Sequence, residues 1–89
     1  MRVKNSEYIQ YLNSKGFRLG EDAIGFILFG KHYTGAEDEL VNAAIEITLK
    51  AQFQFDGSFY MSLLEALLSH KCKQRHEAIT YAKQKGILA

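Results

Sequence analysis

The longest apolar stretch of the chain spans residues 40–55, and its pattern fits two kinds of structure. Apolar residues recur at the spacing of one helix face at Leu40, Ala44, Ile47, Ala51 and Phe55. From Ile45 to Phe55, however, apolar and polar residues also alternate without a break, which is typical of a half-buried strand. Asp56-Gly57 follows as a hairpin signal, so a strand is the alternative.

The residues before this stretch favour the helix. Thr34 and Glu37 have the spacing of a capping box, in which each side chain accepts a hydrogen bond from the backbone N–H of the other residue. Two more acidic residues follow, where the dipole of a helix start favours negative charge. Neither glycine nor proline interrupts the segment, and the possible hairpin partner at 58–64 alternates poorly. We therefore expect a long central helix over about residues 35–53.

A first helix is predicted near the N-terminus. Asn5 or Ser6 can cap it, and it is expected to run to about Lys15. Gly16 then suits the left-handed position that ends many helices, and Phe17 can supply the apolar contact that accompanies such an ending. The same ending recurs close to the C-terminus of the chain, at residues 85–87.

A second helix is predicted over residues 22–30, a segment that is apolar nearly all round. Acidic residues before it and Gly30 after it indicate a helix start and a helix stop. Gly25 counts against a helix by about 1 kcal/mol relative to alanine. We expect a short helix here.

Two further helices are predicted in the last third of the chain. Ser58 can cap a helix that runs to about Ser69. The apolar period fails over residues 71–73, which are expected to form a turn. A last helix over about residues 74–85 ends in lysines, as its dipole favours.

These elements predict an all-α protein, a compact bundle of about five helices around the long central helix. A chain of 89 residues has room for one hydrophobic core, so residues 1–89 are expected to form a single helical domain. The chain has no proline, and no glycine- or serine-rich linker divides it.

Composition narrows the classes of function. The formal net charge is +1, so the molecule as a whole has no strong field that attracts nucleic acid or an acidic substrate. The single cysteine, Cys72, excludes an internal disulfide and fits a reducing compartment. No apolar run reaches the roughly 18 residues of a membrane span, and no signal-peptide pattern opens the chain. We expect a cytoplasmic protein that does not bind membranes.

Charge is distributed unevenly along the chain. Residues 21–46 carry six carboxylates and one lysine, whereas residues 70–89 carry five basic residues and one glutamate. Helix dipoles alone favour such a layout, with acids at helix starts and lysines at helix ends. The functional alternative is a transcriptional regulator whose C-terminal helix-turn-helix-like segment binds nucleic acid. Its candidate contacts are Lys71, Lys73, Arg75 and Lys83.

Three potential metal ligands lie close together, at His70, Cys72 and His76. Imidazole and thiolate suit zinc, but a structural zinc site needs four ligands and this stretch offers three. Cys72 and His76 as nucleophile and base lack an oxyanion motif, and no glycine-rich phosphate loop is present. We expect no metal site, no cofactor and no enzymatic activity.

The aromatic residues give the strongest functional signal. Those that cluster around the two ends of the central helix, and that we expect to bind a partner, are Phe26, Phe29, Tyr33, Phe53, Phe55 and Tyr60. A helix that is apolar on every side needs cover that a chain of this length can hardly provide, so part of this surface is expected to meet another chain. We therefore predict a small regulator or inhibitor that binds protein through an apolar-aromatic helical surface, as a homodimer.

Overall fold

Five α-helices account for most of residues 3–89, the part of the chain that the computed structural model describes. They are α1 (Asn5–Ser14), α2 (Glu21–Thr34), α3 (Asp38–Gln52), α4 (Gly57–Ser69) and α5 (Arg75–Gln84). The prediction of an all-α bundle of about five helices is confirmed. The other four helices all pack against α3, and α2 also packs against α4. Within the described residues, no helix has both the length and the apolar character that crossing a membrane requires.

α3 forms the centre of the bundle because it is apolar around most of its circumference. Eight of its fifteen residues are buried. Ile45, Ile47 and Leu49 are all buried. Residues two apart point to different sides of a helix, and all three are covered because other helices pack around α3 on several sides. The alternation that resembled a strand therefore belongs to an enclosed helix, and the helical interpretation of this segment is confirmed.

The predicted start of α3 at a Thr34–Glu37 capping box is wrong. Thr34 is the last residue of α2, and its hydroxyl donates a hydrogen bond to the carbonyl oxygen of Gly30 at 2.6 Å. Threonine hydroxyls commonly bond the carbonyl four residues back, and this local alternative removes Thr34 from the capping role. Gly35 then ends α2 with a left-handed φ of 74°. As a result, α3 begins at Asp38 rather than near residue 35.

α2 extends four residues beyond its predicted end, because Gly30 lies inside the helix instead of stopping it. A Cβ atom added at Gly30 would lie 2.8 Å from Cε2 of Tyr60 and 2.8 Å from Sδ of Met61. Gly30 is therefore required by the packing of α2 against α4, where a larger residue would separate the two helices.

The glycine endings predicted for the first and last helices are confirmed. Gly16 has a φ of 95°, and the N–H of Phe17 donates to the carbonyl of Leu12 at 2.9 Å. Gly86 has a φ of 74°, and the N–H of Ile87 donates to the carbonyl of Ala82 at 2.8 Å. Both are the reverse hydrogen bonds of a Schellman ending.

The capping residues predicted for α1 and α4 are wrong. Asp56, rather than Ser58, caps α4, and its carboxylate accepts a hydrogen bond from the N–H of Phe59 at 3.0 Å. Asn5 lies inside α1, where its side-chain amide donates to the side-chain oxygen of Asn42 on α3 at 2.6 Å. Asn5 thus joins two helices instead of capping its own.

Two glycines of α2 should respond in opposite ways to replacement by alanine. Gly30→Ala forces a methyl group against the ring of Tyr60, and we expect the free energy of unfolding to fall by about 1–3 kcal/mol. Gly25→Ala is the matched control. Its new Cβ meets no atom within 4 Å, so the free energy of unfolding should rise by about 0.5–1 kcal/mol. Urea unfolding in dilute solution measures both changes, and equal effects would contradict the close approach at Gly30.

Replacing Lys71 by glycine should stabilise the folded protein. It follows α4 with a φ of 59°, in the position that glycine takes after α1 and α5. A left-handed backbone costs a side-chain-bearing residue about 1–2 kcal/mol. After allowing for the more flexible unfolded chain, we expect Lys71→Gly to add about 0.5–1 kcal/mol. Lys85→Gly, where φ is −88°, should bring no such gain. Thermal unfolding tests the pair, and a lower Tm for Lys71→Gly contradicts the strain.

Candidate protein-binding surface

Three exposed aromatic rings lie on one side of α2. Phe26, Phe29 and Tyr33 are 45%, 59% and 67% exposed. They stand at positions i, i+3 and i+7, a spacing that places side chains on a common helix face. We call these three residues the α2 aromatic face. α2 buries the adjoining part of its surface, at Ile27 and Gly30, so another helix covers its apolar surface only in part.

Contacts within the protein restrain these rings. Phe29 and Tyr33 stack with their centroids 5.6 Å apart and their planes at 14°. The ring of Phe26 lies over Gly57 at the start of α4, where an added Cβ would come within 2.7 Å of it. Side chains that are already ordered lose less conformational entropy when they bind, so the α2 aromatic face is preorganised for contact.

A shallow cleft interrupts the surface of α2 beside the rings. Its volume is about 380 Å³, and its lining residues are Glu21, Asp22, Gly25, Phe26 and Phe29. Gly25 opens it, since no atom of another element lies within 4 Å of the place where its Cβ would be. We call this feature the Gly25 cleft. It has carboxylates toward the start of α2 and aromatic rings on the other side.

Phe53 adds a fourth exposed ring. It is 89% exposed and ends α3 with a left-handed φ of 61°. Gly57, which lies under the ring of Phe26, is only four residues further along the chain. The two Cα atoms are therefore at most about 14 Å apart. Phe53 is thus almost free of intramolecular contacts, and its Cα lies within this distance of the residue that the ring of Phe26 covers.

Tyr60 is wrong as a partner-binding residue, and Phe55 is largely withdrawn from the surface. Tyr60 is fully buried, and its hydroxyl donates a hydrogen bond to the carbonyl oxygen of Ile27 at 2.9 Å. Burial raises the pKa of its hydroxyl. Phe55 is half-buried and lies 5.4 Å from Tyr60, ring to ring. A tyrosine can enter a core when its hydroxyl finds a partner, and the backbone of α2 provides one.

The basic residues predicted to bind nucleic acid are not gathered in one patch. Lys71 and Lys73 lie before α5, and Lys83 lies near its end, about 15 Å further along the helix axis. All three are exposed. Arg75, by contrast, donates two hydrogen bonds to the carboxylate of Glu46, at 2.7 and 2.6 Å. α5 packs chiefly against α3 rather than α4. Nucleic-acid binding by these residues stays a prediction.

The pairing of Arg75 with Glu46 joins α5 to α3 and was missed by the sequence analysis. The hydrogen bonds from Arg75 lower the pKa of the Glu46 carboxyl, and Lys50 adds an ion pair at 2.9 Å. A cavity of about 210 Å³ lies beside the pair and is partly lined by Tyr8. Burial, with a smaller effect of Glu46, raises the pKa of Tyr8 to about 12. The two partners are 29 positions apart, and no local motif links them.

The structure does not gather the three potential metal ligands of the C-terminal segment into one group. Cys72 is buried, and burial raises the pKa of its thiol, which disfavours the thiolate that binds metals. The ring of His70 lies 4.6 Å from that of Tyr81. No group of three or more residues able to hold a metal ion occurs among residues 3–89.

Glu46→Gln should reduce stability in a pH-dependent way. Because pairing lowers the pKa of Glu46, its charged form stabilises the folded state above the usual value of 4.5, and this contribution is lost as the pH falls through the lowered pKa. We expect a loss of about 1 kcal/mol at neutral pH, since Arg75 is largely exposed. Urea unfolding over a pH series should show the gap to wild type closing below pH 4.5.

The control for this experiment is Glu65→Gln, on the exposed side of α4. It should show no such gap at neutral pH. If the difference between Glu46→Gln and wild type stayed constant on acidification, the ion pair would not be its source.

Comparison with known proteins assigns the chain to a family. No curated protein and no solved structure matches it. Residues 1–88 match the family described as a family of unknown function, DUF6123. Since the match covers nearly the whole chain, this protein belongs to the DUF6123 family.

Proposed function

We propose that this protein is a small protein-binding regulator or inhibitor that associates with a second copy of itself through the α2 aromatic face. The observation that carries the proposal is the apolar surface of α2 that its own chain leaves uncovered. The helix is buried at Ile27 and Gly30, whereas the surface beside them exposes Phe26, Phe29 and Tyr33. A helix face of this kind is stable in water when another surface covers it.

The size of the exposed surface supports a specific contact. With about 200 Å² for an aromatic side chain, the exposed fractions of the three rings amount to about 350 Å² on one copy. Apolar patches of about 300–600 Å² on small proteins are often functional. Two copies supply twice this area, and their polar edges bring the total toward the roughly 1,200 Å² at which specific interfaces begin.

Phe53 extends the same surface. Exposing a phenylalanine almost fully is unfavourable, and holding it in a left-handed backbone conformation adds a further cost of about 1–2 kcal/mol. Aromatic residues are the most frequent anchors of protein interfaces, where they fill pockets of the partner. The exposure of Phe53 fits such a role.

Self-association can regulate binding of another protein, because both would use the α2 aromatic face. A surface that pairs with its own copy is unavailable to any other protein, so the monomer–dimer equilibrium sets how much of it is exposed. Through this competition a chain without further machinery can inhibit or release a partner.

Phe29→Ser should convert the dimer to a monomer. Removing the ring deletes the most central part of the face, and its replacement is polar. Gel filtration with light scattering should give twice 10.1 kDa for wild type and 10.1 kDa for the variant. Tyr11→Ser, an exposed aromatic change on α1, is the matched control and should remain dimeric. A wild-type protein that stays monomeric from low micromolar to millimolar concentration would overturn the proposal.

A further inference from the structure

Gly25 occupies a helix position for which the single chain offers no reason. It lies inside α2, it is exposed, and no atom of another element comes within 4 Å of its missing side chain. Glycine inside a helix is less stable than alanine. Gly30 on the same helix has a clear use, since Tyr60 and Met61 fill the space that it leaves. The space left at Gly25 is open toward solvent, and no part of the chain fills it.

Gly25 and Phe29 share the side of α2 that faces away from the core. Each lies two residues from Ile27, which turns it about 200° around the helix from that buried side chain. They are four residues apart, so the cleft and the ring are neighbours one turn apart on a single face. A ring beside a cleft is self-complementary when a second copy is related by a two-fold axis.

We infer that two copies pair through antiparallel α2 helices, with Phe29 of each copy seated in the Gly25 cleft of the other. The inference rests on the proposed function and specifies its interface. The ring of Phe26, held over Gly57, lines the cleft, and Asp22 lines it one helical turn earlier. The cleft is shallow and open to solvent, so a ring can lie across it without displacing any atom of the chain. Phe29 is stacked on Tyr33, so it enters as an ordered side chain.

The charge along α2 favours the antiparallel orientation. Its first turn carries Glu21 and Asp22, and its last turn carries His32 and Lys31, the second of which is paired with Asp38 of its own chain. When Gly25 faces Phe29 of the partner subunit, Asp22 comes opposite His32 of the partner subunit. Antiparallel pairing also sets the two helix dipoles head to tail, whereas a parallel pair would place acidic turns side by side.

The first test fills the cleft. Gly25→Leu should raise the dissociation constant of the dimer at least tenfold in sedimentation equilibrium. The leucine side chain fills the cleft, so Phe29 of the partner subunit can no longer pack there. The same change removes a glycine from a helix interior, so the diluted monomer should keep or raise its Tm. Weaker association with an undamaged monomer separates this result from misfolding. Tyr11→Ser should retain the wild-type dissociation constant.

The second test concerns orientation. Asp22→Lys places a positive charge opposite His32 of the partner subunit and should weaken the dimer about fivefold or more at low salt. Adding His32→Glu in the same chain places opposite charges across an antiparallel pair, so the double variant should bind more tightly than Asp22→Lys alone and return toward the wild-type dissociation constant. In a parallel pair, position 22 would face itself, and the double variant would gain nothing.

The outcomes separate the two proposals. A dimer that Phe29→Ser abolishes but Gly25→Leu leaves unchanged overturns this pairing and retains the proposed function. So does a dimer in which the double variant is as weak as Asp22→Lys alone. A chain that is monomeric at every concentration overturns both proposals.

Discussion

The close approach of α2 to α4 at Gly30 determines how this small bundle presents its surface. Tyr60 fits against the bare backbone of Gly30 and donates its hydroxyl hydrogen to the carbonyl of Ile27. One aromatic side chain thus fixes α2 by both packing and a directional hydrogen bond. Because the contact fixes the rotation of α2 about its axis, it also decides that Phe29 and Tyr33 point to solvent. The candidate surface depends on a buried residue that belongs to another helix.

The remaining helices are held to α3 in a different way. α3 supplies more of the core than any other helix, and polar contacts at its edges set where α1 and α5 attach. Asn5 reaches Asn42 from α1, and Arg75 reaches Glu46 from α5. Apolar burial supplies most of the stability of such a bundle, but it is not directional. The paired polar groups add the directional information that fixes the position of each helix along α3.

The sequence predicted the fold class and the helix ends that have a local cause. Gly16 and Gly86 end their helices as expected, because a left-handed residue is recognisable from its type alone. The capping role predicted for Thr34 is wrong because its hydroxyl has two possible partners, and it bonds the carbonyl of Gly30. Tyr60 and Tyr33 have the same side chain, yet one is fully buried and the other exposed. Only the packing of α2 on α4 distinguishes them, and no local pattern encodes it.

The two glycines of α2 have a consequence for the dynamics of the protein. Gly25 and Gly30 together lower the intrinsic helix stability of this fourteen-residue segment by about 2 kcal/mol relative to alanine. α2 therefore owes its helical state to its docking on α4 and α3. Were it to open locally, its aromatic residues would disperse and the candidate surface would no longer exist. A partner can therefore bind this surface only while α2 is docked in the bundle. Binding would in turn stabilise the docked form of α2.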